Sequence, residues 1–207
     1  MRYLALLVSY LLVFFLSTLT ASDKQLENPL VHIRTSLGDM FMILYLDDAP
    51  LSSNNFLRYV EQGFYDNTII HRVIDNYLVQ GGGYTKEYQP KKTHPPIKNE
   101  SRFTPSNTFG TVGFALPSFK INFATSQFFI NLNDNTQLDY NRKTQRGHAV
   151  FGKIIEGVDV LNKIKSVSTH TKIIDHFGKP HKLKDTPKKP IYIHWIRLVQ
   201  NERYTDF

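Results

Sequence analysis

The sequence predicts a mainly β protein, an antiparallel barrel with two helices, and three observations carry that prediction. Short apolar, β-branched segments recur along the chain between Gly, Pro, Asn and Asp turns. Only two stretches show helical spacing of apolar residues. No strand–helix–strand rhythm is present, which argues against a parallel sheet. Fifteen Phe and eleven Tyr supply ample apolar area for a closed β structure in a chain of 207 residues.

The first two strands are expected at Val31–Thr35 and Asp39–Leu46, with Ser36-Leu37-Gly38 as the turn. Pro50 opens a helix in which Phe56, Leu57, Val60 and Phe64 share a face, and Gly63 marks its end. Two strands then flank a turn at Asp75-Asn76. The next strands are expected at Gly110–Leu116, Gln127–Asn131 and Ala149–Ile155. A short helix over Val158–Lys165 buries Val160, Leu161 and Ile164. Ile191–Val199 closes the sheet, with Pro190 tolerable at its start.

The N-terminus has the form of a secretory signal. Arg2 precedes an apolar run of about 13 residues, LALLVSYLLVFFL, and small residues through Ser22 follow. A spanning helix wants about 20 apolar residues. The expected organisation is therefore a signal peptide at 1–22 and one domain at 23–207, with a periplasmic location after cleavage. The alternative is an uncleaved anchor facing the same compartment. The chain has no Cys, which excludes disulfides and metal thiolates.

Formal charge is +7, with the excess concentrated in Lys86–Lys98 and Lys179–Lys189. Aromatic residues are not interleaved with these lysines as base-stacking platforms would be, so they are read as solvated loops and no nucleic-acid partner is expected. His170, His176, His181 and His194 fit no familiar metal spacing, and Gly81-Gly82-Gly83 does not open a phosphate-binding helix. Neither metal nor cofactor is expected.

The segment IIHRVIDNYLVQGGGYT, Ile70–Thr85, is the most informative. Its two strands carry Arg72 and Gln80, with Tyr77 and Leu78 between them. A guanidinium and an amide beside an apolar patch suit recognition of a carbonyl next to a hydrophobic ring. Taken alone, an arginine in a strand is most often a surface ion pair, and residues such as Tyr77, Leu78, Phe129 and Leu138 are most often barrel core.

The same segment, SQFFI at Ser126–Ile130 and HAVFGK at His148–Lys153 together resemble the cyclophilin family of peptidyl-prolyl cis/trans isomerases. The match in order and spacing runs from about Val31 to Val199, and GFYDNTIIHRVI, PPIKNE and ATSQFFIN look closest to the bacterial periplasmic branch. The resemblance implies an eight-stranded barrel with a helix over each open end. It implies that Arg72 and Gln80 are catalytic, and that Tyr77, Leu78, Phe129 and Leu138 wall a proline pocket. Leu116, Gln127, Gln137 and His148 would border the peptide groove. Three departures stand out: Tyr77 and Leu78 replace phenylalanine and methionine, Asp75-Asn76 replaces Pro-Gly, and Gln137 stands where cyclosporin-sensitive members carry tryptophan. The implied activity is X-Pro isomerisation in the folding of exported proteins, by a monomer whose partners are proline-containing polypeptides. The alternative is a peptide-binding chaperone of the same fold with little turnover.

Overall fold

A computed structural model describes residues 28–117 and 120–199, so the expected signal segment lies outside the described residues. β1 (Leu30–Thr35) and β2 (Gly38–Leu44) alternate as strands with one buried face must. Val31, Ile33, Met40, Met42 and Leu44 turn inward, while His32, Arg34 and Phe41 turn outward. α1 (Pro50–Glu61) places proline at its first turn, where no amide hydrogen is needed. Its own residues supply no side-chain cap. Glu100, distant in sequence, does so instead, accepting hydrogen bonds from the Leu51 amide at 2.9 Å and the Ser52 amide at 2.7 Å. A carboxylate at this position also complements the helix dipole.

The remaining elements are β3 (Thr68–Ile74), β4 (Leu78–Thr85), β5 (Thr111–Phe114), β6 (Phe128–Asn131), β7 (Val150–Glu156), α2 (Val158–Lys165), β8 (Thr169–Asp175), β9 (Pro180–Pro187) and β10 (Ile191–Leu198). Eight strands close in the order β1-β10-β3-β4-β6-β5-β7-β2, each pair antiparallel. Closure leaves no edge to attract a foreign strand. The interior combines Val31, Ile33, Met40, Val73, Val79, Val112 and Ile130 with aromatic rings. Among those rings, Phe114 stacks on Phe151 with centroids 4.4 Å apart.

The helices sit at opposite ends of the barrel. Ser53 of α1 donates to the carbonyl of Tyr45, just beyond the C-terminal end of β2. Val160 of α2 packs where a Cβ on Gly38, at the other end of β2, would meet it at 2.7 Å.

One expectation is corrected. Lys86–Lys98 is irregular as read, but most of Lys179–Lys189 is strand, because β9 pairs with β8 in a separate two-stranded sheet. Leu183 is the only apolar side chain other than proline in β9, so no period-two pattern announces this strand. Leu183 and Ile174 instead pack with Ile69 and Tyr84 on the outside of the barrel.

Candidate functional site

The barrel ladders place Arg72, Gln80 and Phe129 in one row. Arg72 of β3 pairs with Gln80 of β4, Gln80 with Phe129 of β6, and Phe129 with Gly113 of β5. The β3–β4 register shifts between Ile70 and Arg72. Ile70 and Val73 belong to the core, so the extra residue lets His71 and Arg72 both leave it. A strict alternation would have sent one of them inward.

The polar part of the row is a relay of hydrogen bonds. Arg72 Nη1 donates to Gln80 Oε1 at 3.4 Å, and Gln80 Nε2 donates to Gln127 Oε1 at 2.8 Å. Two glycines make room for this surface. A Cβ on Gly83 would meet the Gln127 side chain at 2.5 Å, and one on Gly113 would meet the Phe129 ring at 2.7 Å. Arg72 has a further partner, since its Nε lies 3.6 Å from Asp185 Oδ2 of β9. The ion pair that an arginine in a strand most often makes is therefore present, alongside the contact with Gln80.

Two adjoining hollows flank this row and share Leu116 and Pro117. The smaller, about 400 Å³, is lined by Leu116, Gln137, Leu138 and His148 among others. The larger, about 580 Å³, takes in Arg72, Gln80, Leu116 and Gln127. Phe129, Tyr77 and Leu78 line neither hollow. Phe129 is buried and joins the two sides, pairing with Gln80 and meeting the His148 ring edge-on at 5.4 Å. Leu78 is buried two residues along the strand from Gln80, and Tyr77 is half-buried at the turn.

His148 is neutral at physiological pH, because burial pushes its pKa down despite the opposing hydrogen bond to the Phe114 carbonyl. That bond spans 3.1 Å from Nδ1. A carbonyl only accepts, so Nδ1 carries the proton and Nε2 is left as an acceptor. His71 is perturbed further: burial foremost, then Arg72 and His181, lower its pKa to about 3. Its ring meets Tyr84 at 4.8 Å, and its buried Nδ1 has no hydrogen-bond partner among the described residues.

Sequence reasoning missed several residues. Asn107, Asn131 and Asn135 form a buried network that anchors the segment carrying Gln137 and Leu138. Asn135 donates to the Tyr77 carbonyl at 2.7 Å and to Asn131 Oδ1 at 2.8 Å. Asn131 donates in turn to Thr111 Oγ1 at 2.9 Å, and Gln137 donates to Asn135 Oδ1 at 3.3 Å. Asparagines in loops are too common to flag such a network. The motif did contain His71, but burial without a partner is a tertiary property. Asp185 carried no local signal at all.

Comparison with known proteins agrees with this geometry. Residues 30–197 match the family model described as cyclophilin type peptidyl-prolyl cis-trans isomerase/CLD. A peptidyl-prolyl cis-trans isomerase of Acinetobacter baylyi is 43% identical over 88% of this chain and 92% of its own. Peptidyl-prolyl cis-trans isomerase B of Escherichia coli is 38% identical over 83% of this chain and its full length. A cyclophilin type isomerase of Cryptosporidium parvum, crystallised in the presence of the dipeptide Ala-Pro, superposes with a TM-score of 0.64 at 25% identity, covering 83% of this chain and 99% of that one.

Proposed function

From the premise that the chain belongs to the cyclophilin-type peptidyl-prolyl cis-trans isomerases, we propose that Arg72 is the residue that lowers the rotational barrier. Rotation about an X-Pro bond is opposed by roughly 18–20 kcal/mol of C–N double-bond character. In the twisted state the nitrogen becomes pyramidal and gains a lone pair. A guanidinium placed to donate to that nitrogen, or to the proline carbonyl, stabilises the twisted amide more than either planar form. Arg72 stays charged at every physiological pH and offers fixed donors.

The observation that carries this reading is the ladder row of Arg72, Gln80 and Phe129, with Gln80 holding Arg72 from one side. Gln80 and Gln127 then present amide groups to substrate backbone, and Leu116 and Leu138 give the proline ring an apolar seat, with buried Phe129 beneath it. Leu78 backs this seat, Tyr77 supports it through its carbonyl, and Gln137 stands at its rim. Neutral His148 contributes an acceptor at the edge of the seat rather than a base, since isomerisation moves no proton.

Arg72→Ala should lower kcat/KM in a protease-coupled isomerisation assay by about two orders of magnitude, comparable to loss of one preorganised donor. Its melting temperature should change little, because Arg72 is about 40% exposed. Arg72→Lys should recover little, as a point charge does not reproduce the fork. Near-normal turnover in a folded Arg72→Ala protein would remove Arg72 from the mechanism.

The proposed clients are X-Pro segments of exported proteins, and the support is the signal-like N-terminus. Mass spectrometry of the protein from its native envelope should find a new N-terminus near Ser22 or Asp23. An intact N-terminus in the membrane pellet would favour the anchored form.

A further inference from the structure

The β8–β9 hairpin builds part of the groove that the ladder row does not. Seated by Leu183 and Ile174 on Ile69 and Tyr84, it brings His176, His181, Lys182 and Lys184 to the rim of the larger hollow. They line it together with Arg72, Gln80 and Gln127. The charge there is one-sided. Among the described residues, three permanent cations, Arg72, Lys182 and Lys184, line the hollow with three imidazoles, and no carboxylate lines it.

Asp185, next along β9, is engaged with Arg72. The side chains of Lys182 and Lys184 have no ion pair or hydrogen bond among the described residues. Both are exposed, and with Arg72 they give this rim a positive potential that attracts an anion.

A second observation points the same way. His71 lines the same hollow, is 3% exposed, and keeps a buried Nδ1 without a partner. Buried polar atoms are seldom left so, outside places where another group completes them. The field also disfavours added positive charge. Beyond burial, Arg72 and His181 both push the His71 pKa down, and His181 does the same to His176.

We propose that the larger hollow is a subsite for a carboxylate side chain of the substrate, so that the enzyme favours X-Pro segments with Asp or Glu close to the proline. The proposal rests on the isomerase reading of the adjoining seat. The two hollows share Leu116 and Pro117, so one extended peptide can cross both. At about 3.3 Å per residue, the selected carboxylate falls within roughly three residues of the proline. Lysine rather than arginine at the rim suits a tolerant, long-reaching contact that does not dictate one carboxylate geometry.

The test is a series of single-proline peptides with Glu, Lys or Ala placed in turn at each of three positions before and after the proline. At one or more positions, Glu should exceed Lys in kcat/KM by about five- to twentyfold at low salt, a difference that shrinks in high salt. In the Lys182→Glu/Lys184→Glu double variant the ratio should fall to about one or invert. Lys182→Gln/Lys184→Gln gives the same reading in a milder change should the reversal impair folding. Equal values for Glu and Lys at every position would overturn the subsite, as would a Glu preference that persists in both double variants. The Ala peptides separate the two readings. A flat Glu/Lys series with active Ala peptides sinks only the subsite, whereas inert Ala peptides sink the isomerase reading and the subsite with it.

Discussion

On the barrel side of the groove, Arg72, Gln80 and Phe129 are neighbours because three backbone ladders hold them in register. On the hairpin side, His181, Lys182 and Lys184 stand where they do because one leucine, Leu183, is seated in a four-residue cluster. The barrel wall is tied to a closed sheet and a core shared by both helices. The hairpin is a two-stranded sheet whose outer side chains are mostly exposed. The difference teaches a division of labour. In the proposed function, chemistry that depends on ångström-scale placement falls to the closed barrel, and charge recognition, which decays gently with distance, falls to the appended hairpin.

The largest expected effect attacks the rigid side through its buried imidazole. His71 has a folded-state pKa of about 3 against about 6.5 when unfolded, so its neutral form is the one the barrel accepts. The stability tied to this neutrality is complete above pH 6.5 and is lost progressively as pH falls towards 3, because only the unfolded chain takes up the proton. At pH 4.5 the loss from this group is about 2–3 kcal/mol relative to pH 7.5, with Arg72 and His181 as the charges facing it. Urea unfolding at the two pH values should show that drop, and His71→Gln should flatten the dependence by a similar amount. An unchanged slope in the variant would mean that the wall does not depend on a neutral His71.

The smallest expected effect probes the tie between the two sides. Asp185 adopts φ of 56°, a left-handed conformation that asparagine tolerates well, so Asp185→Asn keeps the backbone while removing the charge. The pair with Arg72 is about 40% exposed at both partners, and such pairs are worth about 0–1 kcal/mol. Turnover of a neutral peptide should therefore fall by less than about fivefold, far short of the loss in Arg72→Ala. A loss approaching that of Arg72→Ala would show that the hairpin orients the guanidinium, and the division between the two sides would dissolve.

How much was legible beforehand follows the same line. Register between Arg72 and Gln80 was only half readable: counting equally about Asp75-Asn76 sets Arg72 opposite Val79, whereas Ile74 pairs with Leu78 and Tyr77 joins the turn, which brings Arg72 opposite Gln80. α1 and α2 were readable from spacing, and Pro50 and Gly63 marked the limits of the first. The bulge at His71 was not, since one extra residue in a strand leaves no compositional trace. Nor was β9, whose lysines read as solvent-facing loop while its single leucine found partners far away in sequence. The cap of α1 by Glu100 belongs with these, as an isolated carboxylate names no helix. Across the site, what was missed depends on contacts between distant segments rather than on local pattern.

The ends of the hairpin meet: Thr169 pairs with Pro187, and the Lys188 amide donates to the Ser168 carbonyl at 2.9 Å. A segment that leaves the barrel and returns at nearly the same point can be lengthened or shortened at its far tip, near Phe177 and Gly178, without moving anything at its base. Each doubling of such an excursion costs only about 0.6 kcal/mol of closure entropy. Natural selection can therefore rewrite the far tip of this hairpin one insertion at a time while leaving the ladder of Arg72, Gln80 and Phe129 in register.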